Sequence, residues 1–374
     1  MRKVLFVATV VRLHINMFHK PFLKWFHDQG WQVHVAANND YANPDDCVIP
    51  YCDRFHCLPI ERNPWRRGNL DAYQQLKKLL DEEQYDLIHC HTPMGGALAR
   101  LAASSARNKG TKVIYTAHGF HFFKGARLIN WLAYYPVERM LSRKTDLLVT
   151  INQEDHTRAK GFHAGRTEIV NGVGLDLDRF RVATAEEKAA VRRELGLKEG
   201  DTFGISVSRL TREKGCMVLI EAVHKLADPN FHMFILGDGA EEAEMRSRIH
   251  QLGLEDRIHL LGFRADVDRL CPAADLFVFS SLREGLPVAL MEAMACGVPI
   301  VASDIRGNRD LIDSDRGGWL VPAGDAEGLA KGIVHALESR SEWDKIRDYN
   351  LEKIQHYSTE AVVAQLGEIY QSLM

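Results

Sequence analysis

The sequence predicts an α/β chain made of two doubly wound parallel-sheet domains, and three observations carry that prediction. Short, continuous apolar runs alternate with helical segments along the whole chain, as a parallel sheet covered on both faces requires. The length of 374 residues suits two domains at roughly 150 residues each. With 46% hydrophobic and 26% charged residues, the composition excludes disordered and fibrous classes.

The first-half runs are Val4–Val10, Gln32–Ala37, Leu87–Cys90, Lys112–Thr116 and Leu147–Ile151. The opening MRKVLFVATVV resembles a short signal peptide, but its apolar run stops at Arg12 without a small-residue cleavage site. It reads as the first buried strand, followed at once by a helix-like segment. Asn171–Phe180 reads as the join, which gives domains of 1–170 and 171–356. In the second half the runs are Phe203–Val207, His232–Leu236, Ile258–Leu261, Leu276–Phe279 and Pro299–Ala302. The terminal segment 357–374 carries an apolar stripe (Val362, Val363, Leu366, Ile369, Tyr370, Leu373) and is expected to pack back on the first domain. Two such sheets facing across a cleft would bind ligands beyond the C-terminal ends of their strands.

Charge and cysteine usage narrow the classes. A formal net charge of −3 argues against a general nucleic-acid binder. Through Val170 there are 23 Lys/Arg against 16 Asp/Glu, an excess of +7; the remainder has 24 against 34, or −10. Only the first half is therefore expected to meet an anionic surface. Seven cysteines do not make a disulfide framework. Cys47, Cys52 and Cys57, with His56 beside them, lack the spacing of zinc pairs, so they read as reduced thiols of a cytosolic protein rather than a metal site. No stretch approaches the roughly 18 apolar residues of a membrane span.

The segment Arg283-Glu-Gly-Leu-Pro-Val-Ala-Leu-Met-Glu-Ala-Met-Ala-Cys-Gly-Val-Pro299 follows a strand. Pro287 suits the first helical turn, and Gly297 with Pro299 stops the helix. Every residue between them is apolar or small except Glu292. A lone carboxylate on such a helix needs donors, either an arginine or the hydroxyls of a sugar or ribose. Upstream, Ser206-Val-Ser-Arg-Leu-Thr-Arg-Glu-Lys-Gly215 places Arg209 at a strand end and Lys214-Gly215 at a helix start, which suits a diphosphate. His118 ends the strand in Tyr-Thr-Ala-His-Gly-Phe-His, while His89 and His91 share one strand face.

The run E-G-L-P-V-A-L-M-E resembles the E-x7-E signature of family-4 retaining glycosyltransferases of the GT-B fold, and further landmarks follow in order over the whole chain. The segments F-H-K-P-F-L-K-W-F, T-A-H-G-F-H-F-F and R-G-N-R-D-L-I resemble the EpsD/CapM-like branch of bacterial exopolysaccharide and capsule enzymes. The resemblance implies that Glu284, with Gly285, Leu286 and Pro287, meets the donor sugar and that Glu292 meets the nucleotide ribose. It implies that Arg209 and Lys214 hold the diphosphate, that Phe263 and Arg264 lie in the loop that holds the base, and that His118 contacts the sugar. Gly237-Asp-Gly239, Gly307 and Asn308 are weaker candidates. The sequence reads as carrying no Asp-x-Asp motif for a metal, so no metal cofactor is expected and the two cations assist the leaving group. The family's glycine-rich first loop is missing: Ala8–His14 has no glycine, and Arg12 or His14 stands in its place.

The expected activity is transfer of a sugar from a nucleotide sugar, UDP-linked, to a polyprenyl-diphosphate saccharide. Arg62-Asn-Pro-Trp-Arg-Arg67 and the aromatics of Phe120–Tyr135 suit an anionic, peripherally bound inner membrane face. The alternatives are a soluble sugar or sugar-phosphate acceptor, an epimerase of the same fold, a non-catalytic sugar-binding module, or a dinucleotide oxidoreductase. The last would need a G-x-G-x-x-G run that Val4–Val10 does not introduce.

Overall fold

The computed structural model describes residues 1–314 and 316–374. The chain divides into two compact units, Met1–Gly174 with Thr359–Met374, and Leu175–Ser358. The join thus lies at 174/175, and the return to the first unit at 358/359.

Among the described residues the first unit holds a seven-stranded parallel sheet. Its strands are β1 (Lys3–Val10), β2 (Gln32–Asn38), β3 (Arg54–Cys57), β4 (Leu87–His91), β5 (Lys112–Ala117), β6 (Leu147–Thr150) and β7 (Arg166–Ile169), in the order β3-β2-β1-β4-β5-β6-β7. The second unit holds β8 (Thr202–Val207), β9 (Phe231–Leu236), β10 (Ile258–Gly262), β11 (Leu276–Phe279), β12 (Ile300–Ser303) and β13 (Trp319–Val321), in the order β10-β9-β8-β11-β12-β13. Each order reverses once, between β1 and β4 and between β8 and β11. At such a switch point the outgoing loops part and leave a ligand crevice at the strand ends.

The central strands are apolar throughout because helices cover both faces. Leu5, Val7, Ile88, Val113 and Leu148 are buried in one core, and Met233, Ile235, Leu276, Val278 and Val301 in another. The helix Thr359–Leu373 belongs to the first unit, where Tyr370 is fully buried and its hydroxyl lies 2.9 Å from Nδ1 of His89. Gln365 ties the same helix to the sheet edge by donating to the carbonyl of Ile169 at 3.0 Å.

Candidate functional site

Three loops of the second unit converge on Glu284. The strand β8 ends at Val207, and Arg209 is exposed in the loop that follows. Lys214 closes a 3-10 turn, Arg212–Lys214, and the helix itself begins at Cys216. Gly215 therefore does not open the helix but precedes it in the left-handed conformation, at φ 66°. A Cβ there would come within 2.2 Å of the carbonyl oxygen of Ser280, so only glycine lets the β8 loop approach the β11 loop this closely. The two loops are then tied: Leu282 N–H donates to the carbonyl of Glu213 at 2.8 Å, and Ser280 Oγ donates to that of Lys214 at 3.2 Å. Across this seam Lys214 Nζ lies 2.5 Å from Glu284 Oε1, both side chains being largely buried. The third loop follows β12. A Cβ on Gly307 would meet the carbonyl of Gly285 at 2.4 Å, and Arg306 Nε donates to the Glu284 carbonyl at 3.0 Å.

Gly285, Leu286 and Pro287 lead from Glu284 to the helix Val288–Ala295. Pro287 is its N-cap residue and not part of the first turn, because its ψ of 120° is still extended. Glu292 sits one and a half turns in, half-buried, with no hydrogen bond or ion pair to its side chain among the described residues. Burial pushes its carboxyl up to about 7, against the opposing pull of Arg179. Arg179 itself is engaged by Asp268 at 3.1 Å and the Ala265 carbonyl at 3.0 Å. The arginine that would neutralise Glu292 from within thus has its own carboxylate. Two further buried oxygens at these loops, Ser281 Oγ and Asn308 Oδ1, have no hydrogen-bond partner among the described residues.

Of the remaining candidates, Phe263 is 75% exposed just past β10. Arg264 makes two 2.7 Å hydrogen bonds to Asp266. Asp-x-Asp spacings do occur, contrary to a reading without them, at Asp176/Asp178, Asp266/Asp268 and Asp313/Asp315, the last residue lying outside the described ones. Asp176 caps backbone N–H groups of Asp178 and Arg179, and Asp266 and Asp268 serve the arginines just named. Cys47, Cys52, Cys57 and His56 form no metal-holding group among the described residues.

In the first unit the strand ends at the switch point carry histidines. β1 runs directly into a π-helix, Val11–His19, so the place of a glycine loop is taken by a helix. His118, half-buried after β5, has its Nε2 3.4 Å from Nδ1 of His91 at the end of β4. Burial lowers His118 to about 4, so it is neutral at ordinary pH. His89 is held between Thr116 Oγ1 at 2.8 Å and Tyr370, a structural role. Thr92, the next residue after His91, has φ 62° and ψ 152°, a region costly for a β-branched side chain. Its Oγ1 is pinned by Thr9 at 2.7 Å and by the N–H of Gly95 at 3.3 Å. Beside these residues lies a cavity of about 720 Å³, whose walls include His14, Arg62, Trp65, Met94, Tyr134 and Glu138. Arg179, Asp268 and His19 were not among the sequence candidates; only the fold brings them to these places.

Two doubly wound parallel-sheet units give the chain the architecture of the GT-B fold. Residues 187–353 match the family described as glycosyl transferases group 1, and residues 3–152 match glycosyl transferase 4-like. The chain is 40% identical over 377 residues to the putative glycosyltransferase EpsD of Bacillus subtilis (strain 168), covering 100% of this chain and 97% of that one. It belongs to this glycosyltransferase family. An Escherichia coli UDP-Gal:alpha-D-GlcNAc-diphosphoundecaprenol alpha-1,3-galactosyltransferase is 31% identical over 274 residues, 71% of this chain and 70% of its own. Among solved structures, Anabaena Alr3699/HepE in complex with UDP and glucose superposes with a TM-score of 0.83 at 23% identity over 100% of both chains, a likeness of fold.

Proposed function

We propose that the protein moves a sugar from a UDP-sugar to a polyprenyl-diphosphate-linked saccharide in surface polysaccharide synthesis, with retention of anomeric configuration. The observation that carries the donor half is the seam in which Lys214 meets Glu284 at 2.5 Å, with the partnerless Glu292 eight residues on. In this reading Lys214 and Arg209, with the N–H groups at the start of Cys216–Lys225, neutralise the diphosphate as it leaves. Glu284 and the backbone of Gly285–Pro287 orient the sugar, Glu292 accepts from the ribose hydroxyls, and Phe263 with Arg264 borders the base. His118, neutral, contacts a sugar hydroxyl through Nδ1, the ring nitrogen it does not share with His91. The cations take the leaving-group role, so the step needs no metal cofactor.

The acceptor half is supported by the galactosyltransferase relative, whose name specifies a diphosphoundecaprenol acceptor. It is supported too by an exposed apolar set in the first unit. Leu128, Ile129 and Leu132 on the helix Leu128–Ser142 are 73%, 57% and 67% exposed, and Trp65 in the Arg62–Arg67 loop is 91% exposed. Apolar anchors beside arginines suit the interface of an anionic membrane on its cytoplasmic side. No helix of the described residues is long and apolar enough to cross a membrane. The test is a panel of nucleotide sugars scored for slow donor hydrolysis, then for transfer to polyprenyl-diphosphate saccharides and to soluble sugars. A product only on soluble sugars would replace the acceptor reading, and binding without hydrolysis or transfer would leave a sugar-binding module.

A further inference from the structure

We propose that His14, His19, His91 and His118 form a binding site for a divalent transition-metal ion of the zinc class. One ring nitrogen from each of the four lies within 4.8 Å of all the others. His14 and His19 stand five residues apart, a spacing that an α-helix turns to different faces. The π-helix Val11–His19, with its i→i+5 bonding, brings them back to one face. Their Nε2 atoms are 3.1 Å apart, and Nε2 of His118 is 3.4 Å from Nδ1 of His91. A tetrahedral zinc ion at about 2.0–2.1 Å from each ligand sets its ligand nitrogens about 3.4 Å apart, which these separations approximate.

The chemistry of the set points the same way. The described cluster is all imidazole with no carboxylate, a donor set that favours zinc, copper and nickel over magnesium or calcium. His19 and His91 are each 1% exposed, yet Nδ1 of His19 and Nε2 of His91 have no hydrogen-bond partner among the described residues. In the geometry above an ion would meet the other nitrogen of each of these two rings, Nε2 of His19 and Nδ1 of His91, so it is the convergence of four imidazole nitrogens that calls for a cation. Access exists, since His14 also lines the 720 Å³ cavity of the first unit.

The experiment is titration of the untagged, full-length protein with cobalt(II) chloride, followed by visible absorption and by metal content after gel filtration. One equivalent with the intense absorption of tetrahedral nitrogen coordination is expected. His14→Gln and His91→Asn should each weaken binding beyond the about 10–100-fold that changes outside the ligand shell produce. His250→Gln, on the surface of the second unit, should bind as the wild type does. Near-UV circular dichroism confirms that each variant is folded, and zinc should raise the melting temperature of the wild type but of neither ligand variant. Absence of stoichiometric cobalt in the folded wild type, or equal binding by wild type and both ligand variants, would overturn the site.

Discussion

Donor affinity should depend on pH through Glu292. Its carboxyl titrates near 7 because burial disfavours its charge. To accept hydrogen bonds from ribose hydroxyls it must be ionised, so donor binding and ionisation are linked. If the bound hydroxyls return it to about 4.5, the carboxyl of the free protein is nine-tenths protonated at about pH 6 and one-tenth at about pH 8. Apparent affinity should then fall about tenfold as pH drops from about 8 to about 6, and about half a proton should be released on binding near pH 7. Calorimetry in buffers of different ionisation enthalpy measures both quantities. A UDP-sugar is the right ligand, since its diphosphate diester does not titrate in this window. Glu292→Gln should bind more weakly and lose the slope, because the amide cannot ionise. The same linkage acts on the fold without ligand. A carboxyl raised from 4.5 to about 7 favours the folded state below 4.5, and its ionisation costs about 3 kcal/mol, reached as pH climbs past 7. Donor affinity indifferent to pH in the wild type, or an identical slope in Glu292→Gln, would refute the reasoning.

Four further outcomes follow from the same geometry. Glu284→Ala should lower kcat/KM at least tenfold, the loss of a charged hydrogen bond of roughly 1.5–3 kcal/mol, measured by donor hydrolysis. Arg209→Ala and Lys214→Ala should each lower kcat, and magnesium should not be needed for turnover; loss of activity on chelation with restoration by magnesium would contradict the leaving-group role. His118→Ala should retain most of the affinity for free UDP and lose turnover, and a large drop in UDP affinity would move this residue to the phosphate site. Replacing Arg62, Arg66 and Arg67 together by serine should reduce sedimentation with anionic liposomes. At about 1 kcal/mol per charge the effect should be modest and salt-sensitive, and equal sedimentation would favour a soluble acceptor.

Most of the sheet was readable because buried parallel strands are written as unbroken Val, Ile, Leu and Phe runs. The strands that escaped were β3, β7 and β13, each at the edge of its sheet. Arg54-Phe-His-Cys57 and Arg166-Thr-Glu-Ile169 are partly exposed along their length, so no continuous apolar run forms there. Local chemistry at strand ends was readable too: Lys214, Glu284 and Glu292 come from two segments whose composition breaks from their surroundings. What could not be read is whatever needs the fold to assemble it. Arg179 and Asp268, from separate stretches of chain, set the electrostatic field at Glu292, and His14 and His19 share a face only because a π-turn replaces the α-helical period.

Some of these features lie near the switch points. At each switch point the loops leave in opposite directions, so the strand ends are deprived of the neighbouring backbone that satisfies polar groups elsewhere. Buried, partnerless atoms of Ser281, Asn308, His19 and His91 lie on the loops and helices at these strand ends, and the strained Thr92 sits there as well. Local preference and tertiary demand disagree there, and such disagreement is tolerated where binding supplies the missing partner. In the proposed reading, donor hydroxyls would supply partners to Ser281 and Asn308 in the second unit. The core strands around both points, apolar and fully paired, hold the unsatisfied groups in position until a ligand arrives.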